Sequence, residues 1–254
     1  PMSSDPFVAG QDGVHTYRIP AMVLSPSGAV LVFCEARRES IRDASPTDMV
    51  LRRSLDGGAT WLPIQTLVRG EGTDALMNPV AVVDHATGTV LLLCCNTNRA
   101  ARGEHRRHLL LSSRDDGATW SGPVDLGSRI ADYDDTFVPG PGCGIQTRLW
   151  AWWLERVGRP VDSHTNESQV VELSDGRLLL NMRQGSGQCC RAVAVSDNGG
   201  ESWGPVSWDR ALNECPCQAS ILRHSSADSD GRSIVLFANP DNAGERFGVI
   251  ERTR

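Results

Sequence analysis

The chain is written in short apolar runs, three to six residues long, between clusters of Gly, Pro, Asp, Asn and Ser. Ala29–Cys34, Met49–Leu51, Val80–Val83, Val90–Cys95, Leu109–Leu111, Val170–Leu173, Arg177–Asn181, Ala192–Val195 and Ser233–Phe237 all have the length and composition of strands. Turn signals stand before several of them: Ser25–Gly28 before Ala29, Asp84–Gly88 before Thr89, and Ser174–Gly176 before Arg177. No long segment combines a 3.6-residue period with helix caps, so the pattern predicts an all-β protein. Residues 149–162, LWAWWLERVGRPVD, do not fit it. They hold three of the seven Trp within four positions and show neither alternation nor a turn signal. The expected organisation is one domain, 1–254, irregular across 149–162.

A repeated octapeptide refines the fold class. Ser54–Trp61 (SLDGGATW), Ser113–Trp120 (SRDDGATW) and Ser196–Trp203 (SDNGGESW) share Ser-x-(Asp/Asn)-x-Gly-x-(Thr/Ser)-Trp at intervals of 59 and 83 residues. The shorter interval is that of one four-stranded propeller blade with its loops, and 254 residues then allow about four such repeats. Asp56, Asp115 and Asn198 are expected to accept backbone N–H bonds two residues on. Gly58, Gly117 and Gly200 would supply a positive φ, and the Trp rings would fold back onto the hairpin. These roles are structural and carry no chemistry. Regular strands with a periodic Gly/aromatic motif select a propeller over a sandwich.

Net charge is −6, which argues against a general binder of nucleic acid or anionic membrane. No run of apolar residues is long enough for a transmembrane helix. All 25 basic residues are Arg, the side chain suited to planar, two-point recognition of carboxylates. The eight Cys occur as adjacent pairs, a Cys-x-Cys and singles. They fit no zinc spacing and read as buried free thiols rather than a disulfide framework. Neither a metal nor another cofactor is expected.

The polar motifs between the strands carry the chemistry. They are Tyr17-Arg18-Ile19-Pro20, Glu35-Ala36-Arg37-Arg38 with Asp43 following, Met77-Asn78-Pro79, Phe137–Gln146 (FVPGPGCGIQ), and 166–183, NESQVVELSDGRLLLNMR. Together with the octapeptides, in this order, they resemble the sialidase (neuraminidase) family, closest to the lysosomal-type and bacterial exo-sialidases. The likeness runs from about residue 10 to 252, apart from 149–162.

The resemblance implies a six-bladed β-propeller, here partial. It implies a glycoside hydrolase that removes terminal sialic acid, with retention, from a sialylated glycoprotein, glycolipid or oligosaccharide. Arg18 matches the first of three arginines that grip the substrate carboxylate. Arg183, sixteen residues after Glu167, matches the second, and Arg252, six after Arg246, is the candidate third. Asp43 matches the general acid/base and Glu167 the carboxylate that activates the nucleophile. Arg37, Met77 and Asn78 match positions lining the pocket near the 4-hydroxyl and N-acetyl groups. Arg18, Arg37, Asp43, Glu167 and Arg183 are expected to converge near the propeller axis despite their separation in sequence. The family's nucleophile is a tyrosine. Neither Tyr17 nor Tyr133 matches it, so the 254 residues are expected to be a fragment with little turnover. Two other readings are a non-catalytic sialoside-binding propeller and an interaction scaffold built on the octapeptide repeats. A scaffold would need none of Arg18, Asp43, Glu167 and Arg183.

Overall fold

The computed structural model describes residues 4–98, 107–126, 139–145, 165–214, 217–225, 233–240 and 249–253. Residues 149–162 lie outside them. Every regular element among the described residues is a strand. The chain divides into two compact units, Pro1–Gly144 and Ile145–Arg254.

The first unit holds two antiparallel meanders. One runs β1 (Thr16–Leu24), β2 (Val30–Arg37), β3 (Thr47–Ser54) and β4 (Gln65–Val68). The other runs β5 (Asp74–Asp84), β6 (Thr89–Asn98), β7 (Arg107–Ser113) and the two-residue β8 (Val124–Asp125). A single parallel bridge, Thr47 to Ala75, joins them, and β9 (Gly142–Cys143) pairs parallel with β5. Leu31, Phe33, Met49, Leu51, Leu76, Leu92 and Leu111 fill the core of this unit. β2 is buried along its whole length, which explains why it reads as a continuous apolar run rather than an alternation.

The second unit holds the meander β10 (Thr165–Glu172), β11 (Leu178–Gln184), β12 (Cys190–Ser196) and β13 (Ser207–Asn213). It also holds a three-stranded sheet of β14 (Ser220–Ser225), β15 (Ile234–Pro240) and β16 (Val249–Thr253). Val171, Leu212, Ala219, Ile221 and Phe237 form one of its cores, and Met182, Ala192 and Ala194, flanked by Trp203 and Trp208, form another.

The octapeptides occupy one topological place. Each opens on the last residue of the third strand of a meander, Ser54, Ser113 or Ser196, and makes the turn toward the fourth. The hydrogen bonds differ from the expected two-residue turn in one respect. The Ser hydroxyl already accepts the N–H of the Gly, at 2.8 Å for Gly58, 2.9 Å for Gly117 and 2.7 Å for Gly200. The Asp or Asn oxygen therefore accepts from the residue four positions on: Thr60 N at 2.8 Å, Thr119 N at 2.9 Å and Ser202 N at 3.0 Å. The Trp rings are half-buried. Trp120 meets Phe33 edge-on, with ring centroids 5.6 Å apart, and so ties the second meander to the first. Gly117 is required twice over there. Its φ is +75°, and a Cβ would stand 2.7 Å from Leu31 Cδ2.

Hydrogen bonds from Thr60 and Thr119 hold the Asp56 and Asp115 carboxyls at about 2, below the usual 3.8. The folded value lies below the unfolded one. These bonds therefore stabilise the turns above about pH 4, and that contribution is lost as pH falls through about 2. Asn198 makes the same turn without titrating, its amide donating to Ser202 Oγ at 2.8 Å. The double variant Asp56→Asn/Asp115→Asn is expected to fold normally at neutral pH. It should lose less of its thermal midpoint than the parent between about pH 5 and pH 2. Identical acid profiles for the two proteins would show that these carboxylates do not contribute.

Cys34, Cys94, Cys95 and Cys190 are buried thiols outside any disulfide, and Cys217 is half-buried. Cys189 is free and exposed, and stands at a φ of +54°.

Candidate active site

Three of the polar motifs sit on first strands of meanders, and each lies at a β-bulge. Along β1 the register passes from Arg18–Glu35 to Ala21–Phe33, one residue too many on β1. Along β5 it passes from Met77–Cys95 to Val80–Leu93, and along β10 from Thr165–Gln184 to Ser168–Met182. An extra residue bends its strand and re-aims a side chain, which is why bulges gather at functional sites. In β1 and β5 the sequence shows the cause. Ile19 and Asn78 both take a positive φ, +55° and +53°, and each precedes a proline that cannot donate to the ladder. A β-branched residue at positive φ is an outlier, held only where the surroundings impose it.

The first unit gathers Arg18, Glu35, Arg37, Asp43 and Asn78. Glu35 and Arg37, two apart on β2, share one strand face and are buried, with side chains 0% and 1% exposed. Arg37 Nε and Nη2 both donate to Glu35 Oε2, at 3.0 and 2.7 Å. Its Nη1 donates to the Ile41 carbonyl and stands 2.9 Å from Asp43 Oδ1. The same Asp43 oxygen lies 3.7 Å from Arg18 Nη1. Asp43 is 53% exposed, so one carboxylate faces solvent while two guanidiniums flank it. The other Glu35 oxygen accepts the N–H of Asn78 at 2.9 Å, fixing the β5 bulge. Asn78 Nδ2 donates to the Pro139 carbonyl at 2.9 Å, tying in the FVPGPG motif. Met77 accepts a contact from Thr97 Oγ1 at 3.4 Å. Burial pushes the Glu35 carboxyl up, and the Asn78 N–H and the Arg37 guanidinium pull it back. Arg38 is turned elsewhere: it pairs with Asp48 at 3.3 Å and donates to the Gly70 carbonyl at 2.9 Å, closing the segment after β4.

The second unit brings Glu167 and Arg183 together. Arg183 Nη1 donates to Glu167 Oε2 at 2.6 Å, across the bulged β10–β11 pair, and both side chains remain partly exposed. Behind them Arg191 and Glu214 form a buried pair at 3.1 Å, each 1% exposed. Burial pulls the Arg191 guanidinium down, and Glu214 opposes that. Burial pushes the Glu214 carboxyl up, and Arg191 opposes it. Arg252 lies on β16 opposite Phe237, and its side chain is outside the described residues, as is Arg246. The first unit thus brings Arg18, Arg37 and Asp43 together, and the second brings Glu167 and Arg183 together.

Glu35, Arg191 and Glu214 had no role assigned from the sequence. Glu35 was findable, because an acid and an arginine at i and i+2 of a strand must share a face. Arg191 follows two Cys inside an apolar strand, and Glu214 lies in Asn213–Cys217, beyond the end of β13 and outside any periodic pattern. No group of metal-ligating side chains occurs among the described residues.

Residues 28–154 match the family of BNR repeat-like domains. A sialidase of Micromonospora viridifaciens is 31% identical over 91% of this chain and 43% of its own length. Human Sialidase-4 is 36% identical over 84% of this chain and 44% of its own. Among solved structures, the Hadza microbial sialidase Hz136 superposes with a TM-score of 0.84 at 26% identity, over 97% of this chain and 57% of that one. The chain therefore spans about half the length of the relatives it matches.

Proposed function

The chain belongs to the sialidase family and has the all-β fold of its propellers, and from that premise we propose that the protein hydrolyses terminal sialic acid from sialylated glycoproteins, glycolipids or oligosaccharides. The observation that carries this reading is the exposed Asp43 carboxylate held between Arg18 and Arg37, with the β5 bulge fixed through buried Glu35.

Sialic acid bears a carboxylate on its reacting carbon, so guanidinium groups can bind the sugar at that point and orient it. Arg18 and Arg183 take this role, with Arg252 as the third member. Asp43 donates a proton to the departing glycosidic oxygen as the C–O bond breaks, and later removes one from the attacking water. Its exposure suits a group that must reach a leaving group of variable structure. Glu167 accepts the proton of the nucleophile, which in this family is a tyrosine. Arg37, Met77 and Asn78 stand near the 4-hydroxyl and N-acetyl groups, Arg37 and Asn78 as buried supports.

A second reading is a sialoside-binding propeller, and the environment of Tyr17 is the observation that bears on it. Tyr17 stacks on Phe7, and its hydroxyl lies 3.4 Å from Asp12 Oδ2. Burial, with Asp12 adding to it, pushes that hydroxyl up to about 12, the opposite of what a nucleophile needs. Tyr133 lies outside the described residues.

A fluorogenic sialoside and the α-methyl glycoside of sialic acid separate the readings. Turnover that falls by about 10²–10⁴ in Asp43→Asn identifies the hydrolase. Carboxylate-dependent binding of the methyl glycoside without turnover identifies the binding protein. If the methyl glycoside and its neutral methyl ester behave alike and no turnover is seen, both readings fail.

A further inference from the structure

We infer that the buried Arg191–Glu214 pair is a positioning device for Arg183, setting the guanidinium that takes the substrate carboxylate. The inference rests on the proposed role of Arg183 and adds to it two residues that themselves touch no substrate.

The pair grips β11 on both sides of Arg183. Arg191 Nε donates to Asn181 Oδ1 at 2.6 Å, and Asn181 precedes Arg183 by two residues on the same strand face. Glu214 Oε1 accepts the backbone N–H of Gln184, the residue after Arg183, at 3.4 Å. Arg191 Nη1 reaches Glu214 Oε1 at 3.1 Å and the Cys217 carbonyl at 3.0 Å, so one guanidinium links β11 to the segment that follows β13. That guanidinium also lies 5.9 Å above the Phe237 ring of β15. Gln184 is held from its other side, its Oε1 accepting Ser186 N at 2.6 Å and Ser186 Oγ at 2.9 Å. Arg183 thus extends from a stretch of strand whose neighbours at −2 and +1 are both fixed, and meets Glu167 at 2.6 Å.

Stability alone does not account for this arrangement. A buried ion pair is commonly no better than well-packed apolar residues of the same volume. This one is also incompletely matched: among the described residues, Asn181 Nδ2, Gln184 Nε2 and Glu214 Oε2 are buried without a hydrogen-bond partner. Unpartnered polar atoms in a core are costly. Where local rules of packing are broken together at one spot, function is the usual reason. What the network supplies is direction. A guanidinium must meet a carboxylate within a few tenths of an ångström, and a misplacement of about 1 Å can cost about 100-fold.

The test is the apolar double substitution Arg191→Met/Glu214→Leu, which removes the network together with its desolvation cost. Its thermal midpoint is expected to stay near that of the parent. Its preference for the α-methyl glycoside of sialic acid over the neutral methyl ester, measured by calorimetry or ligand-observed NMR, is expected to fall by about 10- to 100-fold. A purely structural pair would leave that preference unchanged in a folded variant, and this outcome overturns the inference. Should the double variant fail to fold, Asn181→Leu removes the β11 anchor with the charges still paired, and the same loss of preference is expected. Arg183→Gln is the control. If it too leaves the preference intact, the proposed role of Arg183 is at fault; if it abolishes the preference while the network variants keep it, only the positioning role falls.

Discussion

Replacing Glu35 by leucine is expected to lower the free energy of unfolding by about 3 kcal/mol. Breaking one partner out of a buried pair typically costs about 3–5 kcal/mol, because the remaining charge stays buried and uncompensated. Arg37 would keep Asp43 on its Nη1 but lose both bonds to Glu35 Oε2, which places the loss at the low end. The Asn78 N–H would lose its acceptor as well, inside a bulge whose φ of +53° already needs support. Glu35→Gln keeps the shape and one acceptor, so its cost should be clearly smaller. Urea unfolding followed by tryptophan fluorescence reads both variants. A loss below about 1 kcal/mol for Glu35→Leu would mean that Arg37 escapes to water and that the pair does not organise this region. Since domains are held by only about 5–15 kcal/mol, the expected loss is a large share of the total.

How far the sequence reveals this architecture depends on burial. The nine apolar runs fall in β2, β3, β5, β6, β7, β10, β11, β12 and β15, strands packed closely enough to be read from composition alone. Four of the seven strands without a run lack that signal for identifiable reasons. β1 has its alternation broken at Ile19-Pro20, β4 and β8 are short, and β13 (SWDRALN) is largely exposed. The octapeptides were legible as hairpin turns. Their hydrogen bonds were not, because the Ser hydroxyl takes the amide that the Asp was expected to accept. Arg18, Arg37 and Asp43 in the first unit, and Glu167 and Arg183 in the second, stand in motifs whose order is informative. The buried charges behind them, Glu35, Arg191 and Glu214, depend on cross-strand register and loop placement, which no local pattern encodes.

Arg18 tests the carboxylate grip most directly, because its own contribution to stability is small. Its pairing with Asp43 is long, 3.7 Å, and half in solvent, and such pairs are worth about 0–1 kcal/mol. Arg18→Gln is therefore expected to unfold like the parent. Against a carboxylate ligand the same guanidinium would make charge-assisted hydrogen bonds of about 1.5–3 kcal/mol, so affinity for the α-methyl sialoside should drop by about 10- to 150-fold. The neutral methyl ester should show almost no change. The neighbouring Ile19→Gly change separates position from charge. A φ of +55° is strained for isoleucine and easy for glycine, so the substitution should leave stability equal or raise it. It also loosens the bulge that aims Arg18, so affinity should fall although every charged group is retained. Parallel losses of stability and affinity in Arg18→Gln would mark Arg18 as part of the fold's framework, and an unchanged preference between acid and ester would remove it from the substrate site.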